Sequence, residues 1–196
     1  MSAQDALDAA GEQRTVPAFQ AVSFSSSGTV DIVVGKAQAL SIEASPELLS
    51  RVTTEVRDGT LYVGRKNDEG WHNDGSLTVH IALPRLDGVK VSGSGAIKID
   101  GLNGGSTAVG ISGSGNLSAK GTLDKLSLDI SGSGRADLPD LAIKDAMVKI
   151  SGSGNVKINA KGTLEANVSG SGDVRYFGNP RISSRVSGSG SIDHIN

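Results

Sequence analysis

Apolar and polar residues alternate along much of the chain, which is typical of β-strands that bury one face. Between Ala146 and Ile158 every second residue is aliphatic or Gly, and most of the residues between them are polar or charged. The same phase recurs over Val89 to Ile99, Leu126 to Leu138 and Leu164 to Tyr176. The pattern therefore predicts an all-β protein whose short strands contribute aliphatic side chains to a shared core.

A four-residue word, Ser-Gly-Ser-Gly, lies within each of these alternating stretches. Its copies begin at Ser92, Ser112, Ser131, Ser151, Ser169 and Ser187, so they are 18 to 20 residues apart. A segment of that length, at about 3.3 Å per residue, traces roughly 60 Å, which suits one coil of a solenoid. One coil buries too few side chains to offset its ordering entropy, so we expect parallel coils stacked about 4.8 Å apart. An antiparallel meander or sandwich is the alternative arrangement.

The two residue types of the tetrad have opposite parity. Its glycines follow the aliphatic positions, and we expect them at a narrow inward corner where no side chain fits. Its serines follow outward positions such as Lys90 and Lys149, so we expect a stacked hydroxyl face that could bind a glycan or a protein surface. The alternative is that the hydroxyls bond to neighbouring backbone. The candidate binding residues are Ser92, Ser94, Ser112, Ser114, Ser131, Ser133, Ser151, Ser153, Ser169 and Ser171.

The N-terminal half repeats less regularly than the rest. Ser25 to Gly28 is a degenerate tetrad, Asp58-Gly59 is typical of a hairpin turn, and Pro46 suits the start of one helical turn. We expect this half to cap or join the solenoid, since a bare coil end exposes unpaired strand edges. The predicted organisation is a flexible segment over 1–18 and one β-solenoid domain over 19–196, with an irregular β part over 19–88 and regular repeats over 89–196.

Composition narrows the classes of function. The net charge of −2, with scattered Lys and Arg, argues against nucleic-acid binding. The absence of Cys excludes disulfides and thiolate metal sites. No apolar run reaches the roughly 18 residues of a transmembrane helix. The first 15 residues lack the apolar core of a signal peptide; either the protein is not exported, or a leader is absent from this sequence.

Candidate chemistry is sparse. Trp71 and His72 lie together in a polar loop and could touch a sugar ring, although a loop Trp more often packs on the body of its protein. When the coils are aligned by their tetrads, one outward column contains charged residues of both signs, as in ordinary cross-strand pairs. We expect no catalytic group, metal or cofactor; the alternative is a polysaccharide lyase or hydrolase that uses carboxylates such as Asp129 or Asp137. The column comprises Lys98, Ser118, Asp137, Lys157, Arg175 and Asp193.

The repeated unit Val-x-Val-Ser-Gly-Ser-Gly, followed by alternating apolar residues, resembles the head GIN domain family of putative autotransporter adhesins. The resemblance also covers Phe19 to Val34, Gly59 to Val63 and Leu77 to Gly95. It implies a β-helix-like fold and a bacterial protein of the cell envelope or a secreted one, with no catalytic residues to carry over. A non-catalytic binding or structural surface for a glycan or envelope protein is therefore the expected function, and self-association through coil edges is a further expectation.

Overall fold

The structure, a computed structural model, describes residues 11–66 and 76–195. These residues form a β-solenoid of about five turns. The first strands are β1 Glu12–Gln13, β2 Ala21–Phe24, β3 Thr29–Val34 and β4 Ala39–Glu43, followed by helix α1 Pro46–Arg51. Then come β5 Val52–Arg57, β6 Thr60–Arg65, β7 Thr78–Leu83, β8 Gly88–Gly93, β9 Ala96–Asn103, β10 Ser106–Gly113 and β11 Asn116–Gly132. The last are β12 Arg135–Gly152, β13 Asn155–Gly170, β14 Asp173–Phe177, β15 Arg181–Gly188 and β16 Ser191–His194.

Each coil consists of a run that enters the tetrad and a run that leaves it. The entering runs form one face, which we call the pre-tetrad face: β8, β10, the C-terminal parts of β11, β12 and β13, and β15. The leaving runs form the post-tetrad face: β9, the N-terminal parts of β11, β12 and β13, and then β14 and β16. All these pairings are parallel, so the antiparallel alternative is wrong.

The tetrads stack in register. Ser112 pairs with Ser92 on one side and Ser131 on the other, and Ser151 pairs with Ser131 and Ser169. A slip of one residue would turn every aliphatic side chain to solvent, which is why the alternation fixes this register.

The core is a set of aliphatic ladders that run through the coils. One ladder contains Val91, Ile111, Ile130, Ile150 and Val168, all fully buried. Burying each such side chain contributes about 1.5–3 kcal/mol, and successive coils share the contacts. The expectation of one continuous aliphatic core is confirmed.

The tetrad glycines differ from the expectation in one respect. The second glycine of each complete tetrad from Gly95 to Gly172 is buried, and a Cβ on Gly134 would lie 2.6 Å from Cγ2 of Ile111. The first glycine is at least partly exposed, so its predicted inward position is wrong. Gly132 has φ +120°, and a Cβ there would lie 2.6 Å from the carbonyl oxygen of Gly113. The first glycine is thus required by backbone conformation and by close stacking of the coils.

The N-terminal half continues the solenoid and also caps it. β2 pairs in parallel with β6 and β8, while β3 pairs in parallel with β7 and β9. Beyond these, β5 pairs antiparallel with β6, and β4 pairs antiparallel with β7. The chain order of the coils is therefore not their spatial order, because the β6–β7 coil lies outside the β2–β3 coil.

The hairpin turn and the helical turn predicted in the N-terminal half are confirmed. Asp58 and Gly59 have φ of 48° and 71°, as the hairpin turn between β5 and β6 requires. The Ser45 hydroxyl accepts a hydrogen bond from the Leu48 N–H at 3.3 Å and caps α1.

Part of the segment over 1–18 is attached to this cap. Within residues 11–18, β1 pairs antiparallel with β4. The Arg14 guanidinium donates hydrogen bonds to the carbonyl oxygens of Leu49 and Val52 at 3.0 and 2.8 Å. These contacts attach Glu12 to Arg14 beside β4 and α1.

Candidate binding surface

The ten candidate serines lie on one edge of the solenoid, where the pre-tetrad face turns into the post-tetrad face. All ten are exposed. We call this set the serine face; Ser187 and Ser189 continue it on the last coil. Because paired strands are about 4.8 Å apart, the hydroxyls form two columns with that repeat. The structure therefore brings together the residues that the repeat pattern singled out.

The serine hydroxyls have no partner within the described part of the chain: none of the ten makes a side-chain hydrogen bond there. The backbone of the corner is satisfied without them, since the Ser133 N–H donates to the Gly113 carbonyl oxygen at 2.9 Å. The Ser153 and Ser171 N–H groups donate in the same way to Gly132 and Gly152. The hydroxyls are consequently free to bind water or a ligand.

A charged patch lies on the post-tetrad face beside the serine face. The predicted column is in register, with Asp137 between Ser118 and Lys157, and Arg175 between Lys157 and Asp193. Among the described residues, no ion pair within 4.0 Å joins Asp137 to Lys157 or Arg175 to Asp193. A shallow cavity of about 350 Å³ lies here, lined by Arg135, Asp137, Asn155, Lys157, Asp173 and Arg175 among others.

The two carboxylates considered for catalysis lie on different faces. Asp129 is on the pre-tetrad face, in register with Gly110 and Lys149. Asp137 is on the post-tetrad face, in register with Ser118 and Lys157. The fold therefore does not bring Asp129 and Asp137 together as an acid–base pair.

Tyr62 is an exposed aromatic residue that belongs to none of the motifs predicted from the sequence. It lies on β6, which extends the pre-tetrad face through β2 towards the capped end, and 45% of its surface is exposed. It lines a shallow cavity of about 500 Å³ with Ser23, Lys90 and Asp129. The Arg57 guanidinium carbon lies 5.8 Å from the Tyr62 ring centroid. The alternation over residues 61–63, with Tyr62 between two apolar residues, is the signal that could have found it.

Arg57 also binds Glu55, its neighbour on β5. The hydrogen bond from the guanidinium lowers the pKa of the Glu55 carboxyl, and the same bond raises the pKa of Arg57. Both side chains are exposed, so the pair orients Arg57 beside Tyr62 rather than stabilising the core.

The histidines among the described residues do not form a metal site. His80 lies 3.6 Å from an oxygen of Asp31 and 3.4 Å from an oxygen of Glu43. His194 Nε2 lies 2.9 Å from the Gly178 carbonyl oxygen. Across residues 11–66 and 76–195, no group of three or more His, Asp or Glu side chains could hold a metal ion. Trp71 and His72 lie outside the described residues.

The fold and this surface define a class: a parallel β-solenoid that displays a repeated small-residue corner. The chain matches the family described as putative auto-transporter adhesin, head GIN domain, over residues 18–180, and it belongs to that family. The resemblance inferred from the repeated word is thereby confirmed. No curated protein matches the chain.

Solved structures share the architecture. A putative adhesin from Bacteroides fragilis superposes with a TM-score of 0.74 at 21% identity, covering 94% of this chain and 95% of that one. A putative lipid binding protein from Parabacteroides distasonis gives 0.56 at 23%, covering 96% and 98%. A putative adhesin from Parabacteroides merdae gives 0.56 at 22%, covering 94% and 95%. At these identities the likeness shows the fold alone.

Within the described residues, the structure has no helix whose length and apolar character would let it cross a membrane.

Proposed function

We propose that this protein is a non-catalytic binding module of the bacterial envelope or of the secreted fraction, and that the serine face binds a glycan or an envelope protein. The observation that carries the proposal is the column of exposed hydroxyls that make no side-chain hydrogen bond within the described chain. Membership of a family described as adhesins supports a surface role and suits an envelope or extracellular location.

The geometry of the serine face favours a repetitive partner. Hydroxyls can both donate and accept hydrogen bonds, so they match the hydroxyl groups of a polysaccharide. The coils hold the serines on a rigid scaffold, which lowers the entropy lost on binding. The glycines between the serines carry no side chains, so a ligand can approach the backbone closely.

Charged residues beside the serine face contribute to the choice of partner. Lys157 and Arg175 line the neighbouring patch together with Asp137 and Asp173. Because both signs are present, the patch favours polar ligands without a strong net charge.

The direct test is a glycan array and an envelope-protein pull-down with the wild-type chain and with the Ser94→Asp/Ser114→Asp variant. Two carboxylates introduced in adjacent coils lie close together on the serine face and disrupt hydrogen bonding to a neutral ligand. We expect the wild type to retain a defined ligand, and the variant to lose at least tenfold in affinity.

The matched control is Ser127→Asp, an exposed serine on the pre-tetrad face outside the tetrads. It adds one carboxylate away from the serine face, so it is expected to bind as the wild type does. Thermal unfolding of all three proteins shows whether the fold is intact. Absence of any ligand for the wild type, or equal binding by Ser94→Asp/Ser114→Asp, would contradict the proposal.

A further inference from the structure

One end of the solenoid is capped and the other is exposed. At the N-terminal end, α1 and the antiparallel strands β4 and β5 cover the outermost coil, and Leu48 of α1 is fully buried. At the opposite end, β15 pairs only with β13, and all eight of its residues are exposed. Its inward-column residues Ile182 and Val186 are 39% and 42% exposed. In the described residues, the aliphatic core is thus open at this end alone.

The open end also carries unpaired backbone groups. In a parallel ladder, every second residue of an edge strand directs its N–H and C=O away from its neighbour. The Ser189 N–H donates to the Gly170 carbonyl oxygen, so the odd-numbered residues of this run face β13. The N–H and C=O groups of Ile182, Ser184 and Val186 therefore point outward, beyond the last coil.

We propose that β15 is an interface at which a second copy of this chain pairs antiparallel with the first, about a two-fold axis at Ser184. In this register Ile182 lies opposite Val186 of the other copy, so the exposed core residues of each copy cover those of the other. The outward-pointing backbone groups of Ile182, Ser184 and Val186 are also the groups that such an antiparallel ladder would join.

Repulsion between arginines disfavours the two neighbouring registers. With the axis at Ser184, Arg185 lies opposite Ser183 of the other copy, and Arg181 lies opposite Ser187. An axis at Ser183 would oppose Arg181 to Arg185, and an axis at Arg185 would oppose two copies of that arginine. Like charges directly opposite are destabilising, and an axis at Ser184 also keeps nearly the full length of the strand paired.

The resulting assembly is a closed dimer. The interface is isologous, and the capped N-terminal ends point away from it, so no further copy can add by the same contact. This inference does not depend on the ligand of the serine face.

Sedimentation velocity over a range of protein concentrations tests the interface through two variants at one site. Ser183→Arg places two arginines opposite each other at two symmetric positions and is expected to weaken dimerisation at least tenfold. Ser183→Glu places a carboxylate opposite Arg185 and is expected to dimerise as strongly as the wild type or more so. Ser127→Arg lies in the same column three coils away from the open end, and it is expected to leave the dimer unchanged.

A wild type that is monomeric at every concentration, or that grows into filaments, would overturn the proposal. Equal effects of Ser183→Arg and Ser183→Glu would also overturn it, because they would show that β15 does not face its own copy.

Discussion

The two glycines of a tetrad meet different physical constraints. Gly134 is buried against the Cγ2 atom of Ile111, whereas Gly132 needs a positive φ and lies against the backbone of the preceding coil. Alternation alone treats both as inward positions, because a period of two cannot register a change in backbone conformation. The sequence therefore predicted the corner correctly but could not distinguish the two roles.

Substituting the buried glycine tests this account at the residue scale. We expect Gly134→Ala to lower the free energy of unfolding by about 1–3 kcal/mol, because the added methyl group overpacks the corner. Gly110→Ala is the matched control, since a Cβ there meets nothing closer than Cγ of Lys90 at 3.7 Å. Urea denaturation of both variants measures the difference; equal stabilities would show that the corner has room for a side chain.

The Glu55–Arg57 pair gives a second prediction at this scale. Since the Arg57 hydrogen bond lowers the pKa of Glu55, the carboxylate favours the folded state above its ordinary pKa, and this contribution is lost as the pH falls through the lowered value. We expect Arg57→Ala to raise the pKa of Glu55 towards its ordinary value. An NMR titration of the Glu55 carboxyl measures it, and an unchanged pKa would show that the pair does not form in solution.

At the scale of elements, the coils act as equivalent layers. Ser131 pairs with Ser151, and Ser151 with Ser169, so removing one period leaves matching surfaces on both sides. The equal spacing of the tetrads was sufficient to predict this stacking, because each period contains the same alternation.

Deleting residues 133–152 tests the equivalence of the coils. The deletion joins Gly132 to Ser153 and restores one tetrad, so we expect a shorter solenoid with a strand-rich circular dichroism spectrum. Its denaturant m-value should fall, because less surface is exposed on unfolding. Deleting only residues 133–142 shifts the register and should abolish cooperative unfolding. If both deletions behave alike, the coils are not equivalent layers.

The order of the N-terminal coils could not be predicted in the same way. β6 and β8 both have the alternation of a strand that could lie beside β2, and the structure shows that both do, one on each side. The local sequences of β6 and β8 do not indicate which of the two strands lies further from the regular coils. The hairpin turn at Asp58-Gly59 and the start of α1 were predictable because their signals depend on neighbouring residues only.

The candidate site was predictable to a similar extent. The repeated word identified the serine face, since a register of identical tetrads must align identical residues. Tyr62 was missed because it belongs to no repeat, and its exposure depends on its position at the capping end of the pre-tetrad face.

At the scale of the whole molecule, the solenoid is a rod with one capped end and one open end. The serine face runs along one edge of the rod. At the open end, β15 pairs with β13 alone among the described residues. The ten serines of the proposed binding surface lie outside β15. In the proposed antiparallel dimer, the tetrad end of one β15 lies beside Arg181 of the other copy, so the two serine faces lie on opposite edges of the assembly.

The central claim is that the coils stack parallel with their tetrads in register, and an engineered disulfide tests it most directly. The chain has no cysteine, so introduced thiols have no competitors. We predict that Ser131→Cys/Ser151→Cys forms an intramolecular disulfide on mild oxidation, because residues paired across adjacent strands lie within the Cα separation that a disulfide spans. Ser131→Cys/Lys149→Cys, offset by two residues, is predicted to stay reduced. A disulfide in the offset pair but not in the Ser131/Ser151 pair, measured by the mass of the oxidised monomer, would contradict the account.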